Sequence, residues 1–563
     1  MSFKDLKRIG TCPLRKDYVM PVRVIWASEG ATNTECLLIN EQDQAYQGAD
    51  SFVTMSTKDG KKAAFVLDFG TELAGGVRFV TNTGDWGRNV DFRISFGESV
   101  SEAMTPLGEK HSDNSHTPRD YTAVTNSVLS TVEIGTSAFR FVYVEMMTPD
   151  AEREIVSLHA MFTYRDVPYV GSFSCNDEEV NKIYEAAAHT AHLCMQNYVW
   201  DGAKRDRLIW SGDLSHGMKA IRSIFGRNEA VDATLRFQAR EGKLPYYWNF
   251  MSGDGCCYVM TLDEWYLYTG DADLVKELSP YWTALLKQLA NMVGDEAPYL
   301  TKESFVEPDN FFWDWTTSEQ GSDEATLAGL YTCFYRALTA GKRLCDVAGL
   351  SELSALCERK AGYLSENPHQ HFGVKTLVTE MYLCGHMGKE EAAKALTVGG
   401  AKSMGASNGY MILRAMAETA GMEFALSVLR EYYGSMLKMG ATTFWEYYKI
   451  EWYKEGATIE RKLEEGEYDI HGDNGEFCYT GHRNSLCHVW GSNPAAFLAE
   501  AVLGVQIVEP GCKKIAVKPN LGDLTWVKGA YATPYGPVTI EHRKENGKIK
   551  SKIKAPRGVK IVK

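Results

Sequence analysis

The sequence has no run of about eighteen or more apolar residues, the length a membrane-spanning helix requires, so no transmembrane segment is expected. Nor do the residues following Met1 form the continuous apolar stretch of a secretory leader, which disfavours export. Positive charge is in deficit: 60 Lys and Arg stand against 73 Asp and Glu, for a net charge of -13. Such a balance repels phosphate backbones and anionic lipid unless basic residues are concentrated locally, and the only dense stretch is Lys544 to Lys563, which reads as a strand pair with a solvated basic face. No nucleic-acid or membrane partner is expected.

The 13 cysteines form no Cys-x-x-Cys, their number is odd, and Cys256 and Cys257 are adjacent. Zinc, redox chemistry and a disulfide framework are all poorly served by that pattern. Buried reduced thiols in a cytoplasmic protein suit it better. Also missing are Gly-x-Ser-x-Gly, a phosphate-cradling glycine loop, Gly-x-Gly-x-x-Gly after a strand, and His-Glu-x-x-His. Nothing therefore calls for a metal or a cofactor, and the chemistry is left to carboxylates.

What is present is a chain of 563 residues, 44% hydrophobic and 24% charged, long enough for roughly two to four folded domains. Aromatic residues reach 12%, with 13 Trp and 29 Tyr. Such rings suit the apolar face of a pyranose, although a large aromatic core would use them equally.

From Val19 to Tyr169, short β-branched and aromatic runs alternate with polar residues between turn residues, the pattern of antiparallel sheets packed face to face. Near Gly171 the period changes, with Ser174 or Asn176 as candidate caps for a first helix. About a dozen helices follow without a heptad seam or a fixed repeat, which argues for a closed ring of helical hairpins. Strand patterns return after Gly504. The expected architecture is thus multidomain α and β: a β-sandwich over 1–170, a helical toroid over 171–503 and a small β domain over 504–563. Long loops at Lys243 to Gly255, Tyr299 to Asp323 and Phe444 to Arg483 are rich in Trp, Asp, Glu and His, as site-bearing loops are.

Three clusters can carry chemistry. Trp200 to Asp213 packs Asp201, Asp206, Asp213, Lys204, Arg205 and Arg207 beside Trp200 and Trp210, a mixture costly to bury without purpose, or else a surface ion-pair network with Asp213 as a plain N-cap. Glu446 lies among aromatic residues including Trp445, surroundings that raise a carboxyl pKa, though a half-exposed surface Glu would read the same way. Asp314 beside Trp315 can accept hydroxyl hydrogen bonds next to a ring platform, or the rings are core. His488 is either a ligand donor or a satisfied core histidine.

Taken in order, these motifs resemble the bacterial α-L-rhamnosidases, inverting glycoside hydrolases of family 78, over nearly the whole chain. The resemblance runs through Val66 to Gly70, Ala74 to Arg78, Ser95 to Glu98, Asp201 to Asp213, Trp313 to Trp315, Thr442 to Glu446, Asn484 to His488, and the tail around Leu524 and Tyr535. It implies a six-hairpin (α/α)6 toroid flanked by β domains. It also implies Glu446 as general base and Asp206 as general acid, with Asp201, Arg205, Trp210, Asp213, Asp314, Trp315, Trp445 and His488 holding the sugar. Many members carry Glu at the acid position, in a stretch one residue longer; this chain offers Asp206, and a shifted register would give Asp213 or a residue from elsewhere instead. The segment between Glu446 and His488 is an insertion expected to narrow the entrance.

The function so implied is hydrolysis of terminal α-L-rhamnose from small glycosides or imported oligosaccharides, with a homodimer compatible with a chain of this size. The rivals are an inverting glycosidase for another deoxy sugar or a uronic acid, and a catalytically silent carbohydrate-binding protein.

Overall fold

The structure, a computed structural model, describes residues 7, 10–126, 128–244, 251–305, 311–313, 322–454 and 456–562. Its first part is a nine-stranded sheet of antiparallel pairs. The strands are β1 (Leu14–Val19), β2 (Arg23–Ala27), β3 (Ala31–Thr32), β4 (Val53–Ser56), β5 (Ala64–Gly84), β6 (Val90–Gly97), β7 (Asp120–Asn126), β8 (Thr131–Met146) and β9 (Glu152–Arg165). The long β5 organises them: its register on β8 breaks between Asp68 and Leu73, its first half is flanked by β2 and its second half by β9. The break bends the sheet around a core of Phe65, Leu67, Phe79, Phe92 and Phe139. Only glycine serves at Gly75, where φ is +145 and a Cβ would lie 1.8 Å from the Met161 carbonyl oxygen. A short helix, α1 (Val100–Met104), leaves β6 and packs Val100 and Ala103 on Phe141 and Tyr143 of the opposite face.

The helical part contains α2 (Glu178–Cys194), α3 (Ser211–Phe225), α4 (Glu229–Glu241), α5 (Ser252–Thr269), α6 (Ala272–Glu277), α7 (Ser279–Met292) and α8 (Asp323–Ala348). It continues with α9 (Ser351–Tyr363), α10 (Lys375–Leu383), α11 (Lys389–Thr397), α12 (Gly409–Thr419), α13 (Met422–Lys438) and α14 (Asn493–Phe497). Each of α3, α5, α8, α10, α12 and α14 packs on the next, and α14 returns to α3. That closes the ring the periodicity predicts. These inner helices are buried over most of their length, while α2, α4, α7, α9, α11 and α13 each keep an exposed polar face. The result is a six-hairpin toroid with a sheet-rich region before it and small sheets after it.

Two local readings change. The cap of α2 is Asp177, whose carboxylate accepts from the Glu179 and Val180 amides. Ser174 instead lies in β10 (Ser172–Cys175), and the Asn176 side chain accepts from the Thr525 and Trp526 amides, so both candidate caps are committed to long-range pairing. The tail strands are β11 (Val505–Glu509), β12 (Lys514–Val517), β13 (Trp526–Tyr531), β14 (Val538–Glu545), β15 (Lys548–Lys554) and β16 (Lys560–Val562). They form a four-stranded sheet, β10-β13-β14-β15, and a three-stranded one, β11-β12-β16. Among the described residues no helix is long and apolar enough to cross a membrane.

Candidate active site

The N-terminal ends of the inner helices converge on a cavity of about 260 Å³. Asp213 in the first turn of α3, Asp254 in the first turn of α5 and Asn493 opening α14 all reach it. Unpaired amides at helix starts favour negative charge there. The rest of the wall comes from the loop before α3 and from the segment between Thr442 and Val489.

The first loop is shaped by Asp201. Its carboxylate accepts from the Gly202 amide at 2.7 Å, the Leu208 amide at 3.0 Å and the Asp206 amide at 3.2 Å, which fixes the turn carrying Arg205 and Asp206. Gly202 is required within that turn, since a Cβ would stand 2.1 Å from the Arg205 carbonyl oxygen. The loop is held against the second segment by the Val489 amide, which donates to the Asp201 carbonyl at 2.6 Å.

Arg205 links the two segments. One terminal nitrogen contacts Asp206, and the other lies 3.2 and 3.3 Å from the two carboxylate oxygens of Glu446. Glu446 also accepts from the Ser485 amide at 2.9 Å, and His488 Nε2 lies 3.6 Å away. The same His488 nitrogen is 3.4 Å from Asp213, and the imidazole lies on the Trp490 ring at 4.0 Å between centroids. Asp206 is the most open of these acids, with 18% of its side chain exposed and His116 of the sheet region 3.5 Å from it.

Burial dominates the electrostatics. It pushes Asp201 up to about 7, helped by nearby Asp206, and Asp254 up to about 7. Asp213 is driven well above the usual carboxylate range by burial, with Asp201, Asp254 and Glu446 adding repulsion. Glu446 is also raised by burial, but the Arg205 guanidinium and the Ser485 amide oppose the shift. Burial beside Arg205 and His216 keeps His488 far below the usual imidazole range, hence neutral.

Of the residues expected from sequence, Asp201, Arg205, Asp206, Trp210, Asp213, Glu446 and His488 line this one cavity. Trp445 does not. Its indole is 1% exposed and packs edge-on against Tyr448 in the core, because the turn that presents Glu446 sends the preceding side chain inward. Asp314 and Trp315 lie outside the described residues, while the adjacent Trp313 is part of the wall. The insertion contributes Cys478, Tyr479 and Arg483 to the wall. Asp254, Lys219, Arg336 and Glu380 also face the cavity and were not anticipated. Asp254 escaped because Ser252 to Gly255 reads as a glycine loop, whereas α5 begins at Ser252. Gly253 allows close approach to Trp313, with its amide donating to the Phe312 carbonyl at 3.2 Å.

Residues 168–376 match the family model for the bacterial alpha-L-rhamnosidase six-hairpin glycosidase domain, and residues 504–562 match that for the bacterial alpha-L-rhamnosidase C-terminal domain. No curated protein matches the chain. Among solved structures, a family 78 rhamnosidase of Bacillus sp. GL1 superposes with a TM-score of 0.72 at 18% identity, over 94% of this chain and 55% of that one. The α-L-rhamnosidase of Streptomyces avermitilis, complexed with L-rhamnose, gives 0.69 at 15% identity, over 98% and 50%. A rhamnosidase from Klebsiella oxytoca with rhamnose bound gives 0.61 at 17%, over 86% and 96%. At these identities the likeness is one of fold, and the chain spans about half the length of the first two.

Proposed function

We propose that this chain, which carries the six-hairpin glycosidase and C-terminal domains of the bacterial α-L-rhamnosidases, hydrolyses terminal α-L-rhamnosides with inversion. The observation that carries the reading is the shared guanidinium. Arg205 holds Asp206 on one nitrogen and Glu446 on another, at the wall of one cavity of about 260 Å³. Inverting hydrolysis needs two carboxyls about 6.5 to 9.5 Å apart, with room for water beside the anomeric carbon. Carboxylates on separate nitrogens of one guanidinium are held apart from each other, as such a pair must be.

In this reading Glu446 is the general base. Its raised pKa strengthens it as a proton acceptor, while Arg205 and the Ser485 amide keep it ionised enough to act. Asp206, nearest the open side, gives its proton to the leaving oxygen. Trp210, Trp313 and the neutral His488 hold the ring, Asp213, kept protonated by burial, donates to a hydroxyl, and Asp254 hydrogen-bonds another. Thirteen unpaired cysteines suit a reducing cytoplasm. The test is NMR of the first sugar released from an aryl α-L-rhamnoside, with the fucoside, mannoside and glucuronide alongside. Initial β-L-rhamnose from the rhamnoside alone is the expected result; retained configuration, or preference for another glycoside, overturns it.

A further inference from the structure

Behind the cavity, two carboxylates of the sheet region enter the helical region. Glu98 follows β6, and Glu102 lies in α1, where its amide donates to the Ser99 hydroxyl that caps the helix. Between them sits Lys204, whose ammonium is 3.0 Å from each of Glu98 and Glu102 and also donates to the His482 and Asn484 carbonyls at 2.8 and 3.0 Å. Glu98 accepts in addition from the Leu486 amide at 2.6 Å and the Ser485 hydroxyl at 3.2 Å. Ser485 and Glu446 are joined twice: the Ser485 amide donates to the Glu446 carboxylate at 2.9 Å, and the Glu446 amide to the Ser485 carbonyl at 2.8 Å. Lys204 immediately precedes Arg205. One buried cluster therefore grips both segments that carry the reacting pair.

The cluster is not arranged for a metal. Glu98, Glu102 and His471 offer ligand atoms within 4.8 Å of one another, but the Lys204 ammonium already bridges the carboxylates. The His471 ring is also committed, with Nε2 on the Asn484 carbonyl at 2.9 Å and Nδ1 on the Ser99 hydroxyl at 2.8 Å. Nor is stability a sufficient reason for it, because a buried ion pair is commonly no better than apolar side chains of the same volume. What such a cluster does supply is a single geometry.

We propose that Glu98 and Glu102 are positioning residues of the active site, setting Arg205 and Asp206 in register with Glu446 through Lys204 and Ser485. The inference rests on Asp206 and Glu446 being the reacting pair. Two catalytic groups from segments far apart in sequence have no shared helix to align them, and a displacement of about 1 Å can cost 10²-fold in rate. The titratable groups facing the cluster are Arg119 on Glu102, His482, His471, which burial pushes down to about 3, and Glu72 from β5, whose carboxyl burial keeps protonated. Facing Glu446 are Arg205, Asp206, Asp201, Asp213, Cys478, His488 and, at longer range, Lys204.

The experiment uses the full chain with Glu102→Gln, Lys204→Met and the double variant, assayed on an aryl α-L-rhamnoside for kcat, KM and pH profile. Each single variant should lower kcat about 10- to 100-fold with KM within about threefold, and the double should cost no more than either single. The pH profiles add a signature that mere loss of packing would not give. Removing the Lys204 charge should move the basic-group limb of kcat/KM to higher pH, and Glu102→Gln, which leaves that charge less compensated, should move it lower. Should Lys204→Met fail to fold, Glu98→Gln takes its place, with the same loss of kcat and the limb moving lower, as for Glu102→Gln. An active wild type whose variants keep kcat and both limbs overturns the inference. A wild type that hydrolyses no rhamnoside overturns the functional reading instead.

Discussion

Arg205 Nη2 lies 3.2 Å from Glu446 Oε1, across 241 positions of sequence. The contact sets two opposing influences on one carboxylate: burial favours its neutral form, and the guanidinium favours its charge. A general base needs both, the first for basicity and the second for availability.

Replacing that carboxylate by an isosteric amide removes proton acceptance and leaves the shape. Glu446→Gln should lose at least about 10² to 10⁴ in kcat while melting within a few degrees of wild type, read by steady-state kinetics and thermal denaturation. Near-normal turnover would end the assignment.

The proton donor is separable by leaving group. Asp206→Asn should lose far more activity on alkyl rhamnosides than on activated aryl ones, which need little protonation, whereas Asp213→Asn should lose similar amounts on both. The reverse pattern would transfer the role to Asp213, the buried neighbour of His488.

Asp254 makes stability depend on pH in a stated direction. Burial raises it from 3.8 to about 7, so the folded protein favours the protonated form. That stabilisation is complete below the unfolded value and is lost as pH climbs through 7, on the order of 4 kcal/mol at most. Asp254→Asn keeps an acceptor for the Gly212 amide and removes the titration. Melting the two proteins side by side from pH 5 to 8 should therefore show the variant gaining on wild type as pH rises; a constant difference would contradict it.

Trp313 is seated on Gly329 of α8. A Cβ there would stand 1.9 Å from the indole. Gly329→Ala should displace the ring into the cavity, raising KM and costing about 1 to 3 kcal/mol of stability, measured by saturation kinetics and melting. An unchanged KM would mean the ring does not bound the sugar.

The toroid is legible in the sequence because its signal is local: apolar positions recur at three and four over more than one hundred residues on either side of α8, and each hairpin repeats the pattern. The acids of the Asp201 to Asp213 segment stand out because mixed charge beside Trp is conspicuous between helices. The misses are cases where a distant partner decides. Glycines at 253 and 255 imply a loop until Trp313 and Phe312 are seen against Gly253, and Trp445 looks like a sugar platform until the turn at Glu446 buries it. Lys204 reads as one more charge in a basic run, because Glu98 and Glu102 lie some hundred positions upstream.

The strand β10 opens the helical region and pairs with β13, with Asn176 reaching Trp526 across 350 positions. On the ribosome, at about 5 to 20 residues per second, that edge waits on the order of tens of seconds for its mate. Throughout that interval the nascent polypeptide displays an unsatisfied strand border, a natural target for chaperone capture until the tail emerges.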